Sequence, residues 1–277
     1  MTEHQETCRI VGFVLDRIGQ LDQAEQYYKA SLKLKSDVDA MYNLGILYED
    51  KNNYTEAEKY FKMAYDAGLS KAAYKLGYVY SKLNKKDLSE RYYLQSVTKD
   101  NNIDAMYNLA VLYNSSSKKN DAIKYFKMAA DKGDIDAAYN LGLLYDDAGN
   151  FDSAEYYYKK AADVNNSNIN AMYNLAILYE KQNKINDSLK YYEKTYNRNY
   201  DPKILYKLGL LNDISGNYQN AEKYYKQAAE KAGVRVMVDY HKRWDPASIA
   251  VKNKLADAGT GKPVRGYMRM DNVYDVA

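Results

Sequence analysis

The chain is poor in the residues that build most catalytic and metal centres. Among 277 residues there is one cysteine, one tryptophan, two histidines and three prolines. A single cysteine, Cys8, excludes an intrachain disulfide and a cysteine metal cluster. His4 and His241 stand far apart in sequence and form no acid–base or metal-binding group with other ligands, so no catalytic residue and no metal site is expected. Long apolar runs are missing too. No stretch approaches the about 20 apolar residues of a membrane helix, the mean hydropathy is −0.70, and no membrane partner is expected. An excess of one charge is also lacking: 40 Lys and Arg against 37 Asp and Glu leave a net charge of +3, which gives no basis for nucleic-acid binding. The opening MTEHQETCRI has acids and polar residues where a signal peptide carries a basic start and an apolar stretch, so a reducing cytoplasm is the expected location.

Tyrosine, by contrast, is abundant at 33 residues, and much of it belongs to one recurring phrase. Met41-Tyr-Asn-Leu-Gly45 returns as Met106-Tyr-Asn-Leu-Ala110, Ala138-Tyr-Asn-Leu-Gly142 and Met172-Tyr-Asn-Leu-Ala176. Weaker copies are Tyr74-Lys-Leu-Gly77 and Tyr206-Lys-Leu-Gly209, and a degenerate first copy is centred on Gly12. The small residue therefore falls at 12, 45, 77, 110, 142, 176 and 209, in steps of 32 to 34. A period of this size marks a repeat array whose units bury their apolar faces against their neighbours.

Two helices per unit follow from the spacing. Met41, Leu44, Gly45 and Tyr48 fall at i, i+3, i+4 and i+7, as do Ala57, Tyr60, Phe61 and Ala64, with the polar turn 50–53 between them. The second helix is expected to be capped by Asp22, Thr55, Asp87, Asn120, Asp152 and Asn186, with Glu58, Glu90 and Glu155 completing capping boxes. Gly68 and Gly133 are expected to end second helices in a left-handed conformation. The small residues let the paired backbones approach closely. Ser89, Ser96, Ser188 and Thr195 stand where other units carry alanine, and those units are expected to be weaker.

Leu-Gly, Tyr three residues on, Ala nine further, an aromatic four on and Ala three on again resembles the tetratricopeptide repeat over about seven units. The usual proline between units is missing, and the junction from Ala129 to Ala138 is more similar to Sel-like repeats. The resemblance implies an all-α protein: a right-handed α-solenoid of about seven helix-turn-helix repeats over residues 1–232, with first helices lining a concave groove. It implies a non-enzymatic scaffold for a protein or peptide partner, without a cofactor. In that geometry the groove carries Tyr42, Tyr74, Tyr107, Tyr139, Tyr173 and Tyr206, and one turn on Ile46, Tyr78, Val111, Leu143, Ile177 and Leu210. Asn43, Asn108, Asn140 and Asn174 can offer a donor and an acceptor to a peptide backbone. Beyond them lie Glu49, Asn114, Asp146, Asp147, Glu180 and Asp213, an edge that suits a segment with apolar and basic residues. The competing reading places the tyrosines in the packing between adjacent first helices. A carboxylate clamp is not expected, because tyrosine fills its cation position.

After Lys231 the composition changes. Valine occurs seven times from 234 onward, as often as in all earlier residues. Val234–Val238 and Val264–Met270 read as strands around a helix from Asp245-Pro246 to about Asp257, a short β-α-β-like appendage. Ala229 through Pro263 resembles a piece of the Gfo/Idh/MocA oxidoreductases, in which His241 and Arg243 would lie near the substrate cleft. The glycine-rich dinucleotide loop and the family's Glu-Lys-Pro lysine are both missing, so residues 233–277 read as a fragment rather than a domain. The chain then reads as a join of two unrelated sequences near 228–233, whether a natural fusion, a gene-assembly accident or an engineered chimera. The alternative function is that of an oxidoreductase-related protein acting only with another chain, and the tail is a further expected route to self-association.

Overall fold

The structure is a computed structural model that describes residues 3–163 and 168–233. The expected strands and helix of the tail, and the oxidoreductase-like segment beyond Gly233, lie outside the described residues. Within them the chain is α-helical, in seven pairs. These are α1 (Glu3–Arg17) with α2 (Leu21–Leu34), α3 (Val38–Asp50) with α4 (Tyr54–Asp66), α5 (Ala72–Lys82) with α6 (Lys86–Asp100), and α7 (Ile103–Ser115) with α8 (Lys119–Asp131). They continue as α9 (Ile135–Asp147) with α10 (Phe151–Ala162), α11 (Ile169–Lys181) with α12 (Ile185–Asn199), and α13 (Pro202–Ile214) with α14 (Tyr218–Lys231). The chain divides into two compact units, residues 1–141 and 142–277, with the division inside α9.

One turn design closes every pair. Each has three residues, and the middle one is left-handed: Gly19, Asn52, Asn84, Ser117, Gly149, Asn183 and Gly216. The last turn residue donates its N–H to a carbonyl five residues back, as in Asn53 to Tyr48 at 2.8 Å and Lys184 to Tyr179 at 2.9 Å. This satisfies the carbonyls a helix end leaves open. Gly68 and Gly133 take positive φ after α4 and α8, as expected.

The expected caps are corrected. Asp22, Thr55, Asp87, Asn120, Asp152 and Asn186 are second residues of their helices, where an acid faces the unpaired amides and the positive end of the dipole without capping. Side-chain caps fall mainly on first helices: Asp37, Asn102, Asp134 and Asn168 each accept from the N–H three residues on, at 2.7–3.0 Å. Among second helices, Asn53 and Asn150 cap α4 and α10 at 3.3 and 3.2 Å.

Pairs are held by the approach of the small residue to a buried ring. A Cβ on Gly45 would lie 2.5 Å from the Phe61 ring, one on Gly77 2.5 Å from Tyr93, one on Gly142 2.4 Å from Tyr158, and one on Gly209 2.6 Å from Tyr225. These rings are buried, with alanines around them. The hydroxyls expected to weaken their units are partly accommodated. Ser89 donates to the Gly77 carbonyl and Ser188 to the Ala176 carbonyl, both at 2.8 Å, and Thr195 to Tyr191 at 2.7 Å. Ser96 is fully buried and its hydroxyl has no partner.

Successive pairs are joined by a polar ladder. Glu25 accepts from the Tyr48 hydroxyl at 2.7 Å and Lys51 at 3.0 Å. Glu58 accepts from Tyr80 at 3.1 Å and Lys85 at 2.8 Å. Glu90 takes Tyr113 at 2.9 Å and Lys118 at 3.5 Å, and Glu155 takes Tyr179 at 2.9 Å and Lys184 at 3.3 Å. Glu58, Glu90 and Glu155 therefore serve the next pair instead of closing a capping box. The lysines 85, 118 and 184 sit at N-cap positions without capping, since an ammonium has no acceptor for the helix amides, and they reach these carboxylates instead.

Three outcomes follow. Gly45→Leu drives a side chain into Phe61 and is expected to cost about 1–3 kcal/mol. Gly45→Ala requires the Phe61 ring to shift and is expected to cost less than Gly45→Leu, because Ala110 and Ala176 hold the same position and alanine favours the helix; chemical denaturation checks both. Ser96→Ala removes an unsatisfied hydroxyl and is expected to stabilise by about 1 kcal/mol, read as a rise in melting temperature. The third concerns acid. Burial opposes ionisation of Glu25, but hydrogen bonds from Lys29, Tyr48 and Lys51 outweigh it and bring its carboxyl from 4.5 down to about 2. Glu155 is lowered in the same balance by Lys159, Tyr179 and Lys184. The unfolded chain therefore takes up these protons at higher pH than the folded one. Stability from the ladder is complete above the ordinary carboxyl range and is lost as pH falls towards 2. Glu25→Gln and Glu155→Gln are expected to flatten that loss, by about 1 kcal/mol or less each for such half-exposed groups, in melting curves taken down the acid limb.

Candidate functional site

The repeated tyrosine sits at the third or fifth position of its first helix, after a buried alanine–methionine, alanine–alanine or isoleucine–leucine pair. That pair turns inward, which brings the tyrosine to the edge of the core. In residues 1–141, Tyr42, Tyr74, Tyr107 and Tyr139 are half-buried, and in residues 142–277 so are Tyr173 and Tyr206. The rings lean on the second helix of their own pair: Tyr42 on Phe61 at 5.5 Å, Tyr74 on Tyr93 at 6.2 Å and Tyr107 on Phe126 at 5.7 Å. Tyr173 and Tyr206 lean likewise on Tyr192 and Tyr225, each at 5.8 Å. The rings therefore pack within their own pair, and the Tyr74 and Tyr107 hydroxyls also meet the following first helix. One turn on, Ile46, Tyr78, Leu143, Ile177 and Leu210 are half-buried and Val111 is exposed.

Two of the amides meet the tyrosine row. Asn108 donates to the Tyr74 hydroxyl and Asn140 to the Tyr107 hydroxyl, both at 3.4 Å. Asn140 also donates to the Asp136 carbonyl at 2.8 Å. The repeat length places each of these amides beside the tyrosine of the pair before, so their nitrogens serve the array. Asn43 and Asn174 are half-buried on the same face. Burial pushes the hydroxyls of Tyr42, Tyr74, Tyr107 and Tyr206 above the ordinary phenol range, so they stay neutral and able to donate at physiological pH.

The acidic edge is partly neutralised from within. Lys75 pairs with Glu49 at 3.0 Å, Lys181 with Asp146 at 3.0 Å and Lys207 with Glu180 at 2.9 Å, each lysine coming from the following first helix. Lys71 lies 4.5 Å over the Tyr42 ring. Sequence reasoning missed these lysines and the Glu25, Glu58, Glu90 and Glu155 ladder. The available signal was a glutamate followed by tyrosine 22 to 24 residues later in four registers. Among the described residues no group of three or more His, Cys, Asp or Glu is placed to hold a metal ion. No helix among them is long and apolar enough to cross a membrane.

Comparison with known proteins agrees with this architecture. Tetratricopeptide-repeat models match residues 14–70 and 173–234, and again 70–102 and 135–168, together about two thirds of the chain. A Sel1-repeat model matches residues 103–134. No oxidoreductase model is among these matches, and no curated protein matches the sequence. Among solved structures, c5321, a protective antigen of uropathogenic Escherichia coli strains displaying an SLR fold, is 18% identical with a TM-score of 0.63. The alignment covers 92% of this chain and 57% of that one, so the chain spans little more than half the antigen's length. The C-terminal part of a TPR repeat-containing protein from Cytophaga hutchinsonii is 14% identical, with a TM-score of 0.65 over 79% of this chain and 93% of its own. A tetratricopeptide repeat protein from Parabacteroides merdae is 16% identical, with a TM-score of 0.55 over 92% and 98%. At these identities the likeness shows the fold alone. By its period, its helix pairs and the models that match along it, the chain belongs to the tetratricopeptide-repeat family and carries one Sel1-type unit in its middle.

Proposed function

We propose that the array of residues 1–232 is a non-enzymatic scaffold that binds a segment of a partner protein along the tyrosine-bearing faces of its first helices. The fold is one typical of protein–protein interaction scaffolds. The observation that carries the finer reading is the state of six equivalent tyrosines. All six are half-buried, and Tyr42, Tyr74, Tyr107, Tyr173 and Tyr206 each seat the ring on their own pair with part of it left at the surface. An amphipathic ring held in this way offers contact area at low entropic cost and a hydroxyl that can donate. Ile46, Val111 and Ile177 beside the row suit apolar anchors of the partner. Asp147 and Asp213, on the edge whose other carboxylates already hold lysines, suit a smaller number of basic residues than the sequence alone suggested.

Panning the full chain against a displayed random peptide library tests the proposal and requires no identified partner. Enriched peptides are expected to combine aromatic or aliphatic residues with Lys or Arg. Tyr107→Ala and Tyr139→Ala are expected to weaken their binding by about 2 kcal/mol or more with a modest fall in melting temperature. Tyr107→Phe, which keeps the ring, is expected to retain most of it. If both alanine variants melt far below wild type yet hold the peptide undiminished, the tyrosines are core and the binding face is elsewhere.

A further inference from the structure

The first helix exposes more apolar surface than the later first helices do. Aligned on the small residue, Gly12 with Gly45, Val14 stands where Leu47, Val79, Leu178 and Leu211 are buried and Leu112 and Leu144 half-buried, and Phe13 stands where Val111 is exposed. The four buried ones are at most 1% exposed, whereas Val14 is 52% exposed, with Ile10 at 50%, Phe13 at 50% and Ile18 at 62% beside it. Four apolar residues at helical spacing on one outer face are more than scattered surface apolars. The stripe also changes sign along its length. Glu6 lies in the first turn of α1 on the same face, and Arg17 lies in the last turn, over the Phe13 ring at 5.9 Å.

We infer that α1 is a self-association surface, on which a second copy of this chain packs its own α1 in antiparallel orientation. An apolar stripe with an acid at one end and a base at the other is self-complementary in that orientation, as a two-fold interface requires. The register that sets Glu6 against Arg17 of the other copy also sets Ile10 against Phe13 and Val14. The competing occupant, α14 of another copy, fits poorly. Where a second helix carries a glutamate in this register, the next pair offers it a tyrosine and a lysine, as Tyr48 and Lys51 do for Glu25. Glu222 holds that glutamate position on α14, but α1 has Leu15 and Ile18 in place of Tyr48 and Lys51. Stacking there would set a carboxylate on an apolar face.

Sedimentation velocity of the full chain, from low to high micromolar concentration, tests the inference. A single helix per partner buries less than the about 800 Å² per side of a standard interface, so a weak dimer is expected, with mass rising from 31.9 kDa towards twice that value. Phe13→Glu replaces an exposed residue. It is expected to keep the helical circular dichroism and weaken association about tenfold or more. Arg17→Glu is expected to weaken it by placing like charges together, and the double variant Glu6→Arg, Arg17→Glu to restore it. A wild-type chain that stays monomeric throughout overturns the inference. So does association unchanged by Phe13→Glu, growth beyond the dimer, which marks head-to-tail stacking, or association lost on truncation after Gly233, which assigns it to the tail.

Discussion

Everything else in this array rests on the contact between a residue with little or no side chain and an aromatic ring on the paired helix. With Gly45 against Phe61, or Gly142 against Tyr158, there is no room even for a relaxed methyl in the present positions. The two backbones therefore sit as close as a ring's thickness allows. That distance sets which neighbouring residues are buried. Leu44 and Leu47 fall inside, and Tyr42 falls at the rim, where its ring meets the edge of the same Phe61. Ala110 and Ala176 show that a methyl is tolerated where the opposing ring gives way by a small amount, so size at this position tunes the pair without breaking it.

Between pairs the chemistry changes from apolar to polar. A carboxylate on one second helix takes a phenol and an ammonium from the next pair, and at Glu25 and Glu155 these act with a lysine of the same helix to outweigh its desolvation. The arrangement fixes register, since a one-residue slip would remove both donors from the carboxylate. The chain itself supports this reading. The register that carries Glu25, Glu58, Glu90 and Glu155 carries Ile123 in the fourth pair and Leu189 in the sixth. In the pairs that follow, the N-cap lysine is replaced by Asn150 and Asn217, and Asn212, in the tyrosine position of the seventh pair, bonds to its own helix at Leu208. Where the acid is absent, the N-cap lysine is absent as well.

The pairing of helices, the turn positions and the close contact at the small residue were legible in the sequence, because each depends on residues within one period. Gly68 and Gly133 declare their left-handed backbone by being glycine, and the phrase around Gly45 declares its packing by repeating. The caps were misplaced because Asp22 or Asp152 in a first turn looks the same in sequence as an N-cap two residues earlier. The conformation of the turn decides between them, and that turn is closed by a backbone bond with no sequence signature. The ladder was hidden for a related reason. Glu58 has a plausible local role early in its helix, while its partners Tyr80 and Lys85 lie 22 and 27 residues away. Local rules favour the near partner, and the three-dimensional stack supplies the far one. On the candidate face the tyrosine row was legible, but the lysines 75, 181 and 207 that quiet its acidic edge were not, because each reaches back across most of a repeat or more.

The abundance of tyrosine over phenylalanine follows from this division of labour. A phenylalanine would serve as well for the ring contacts alone, and Phe61 and Phe126 do serve where a ring is fully enclosed. The ladder needs the hydroxyl. Tyr48, Tyr80, Tyr113 and Tyr179 are buried and donate hydrogen bonds to a carboxylate, so their hydroxyls are used inside the array. The second row has a different balance. Tyr74 and Tyr107 accept from an asparagine at 3.4 Å, a long bond that leaves the phenol proton to donate outward. One residue type thus fills two rows on the same helix, six residues apart, and the chemistry of the group facing each hydroxyl decides its role. A carboxylate takes the hydrogen bond of the inner hydroxyl, and an amide that donates to the outer one leaves its proton uncommitted in that contact.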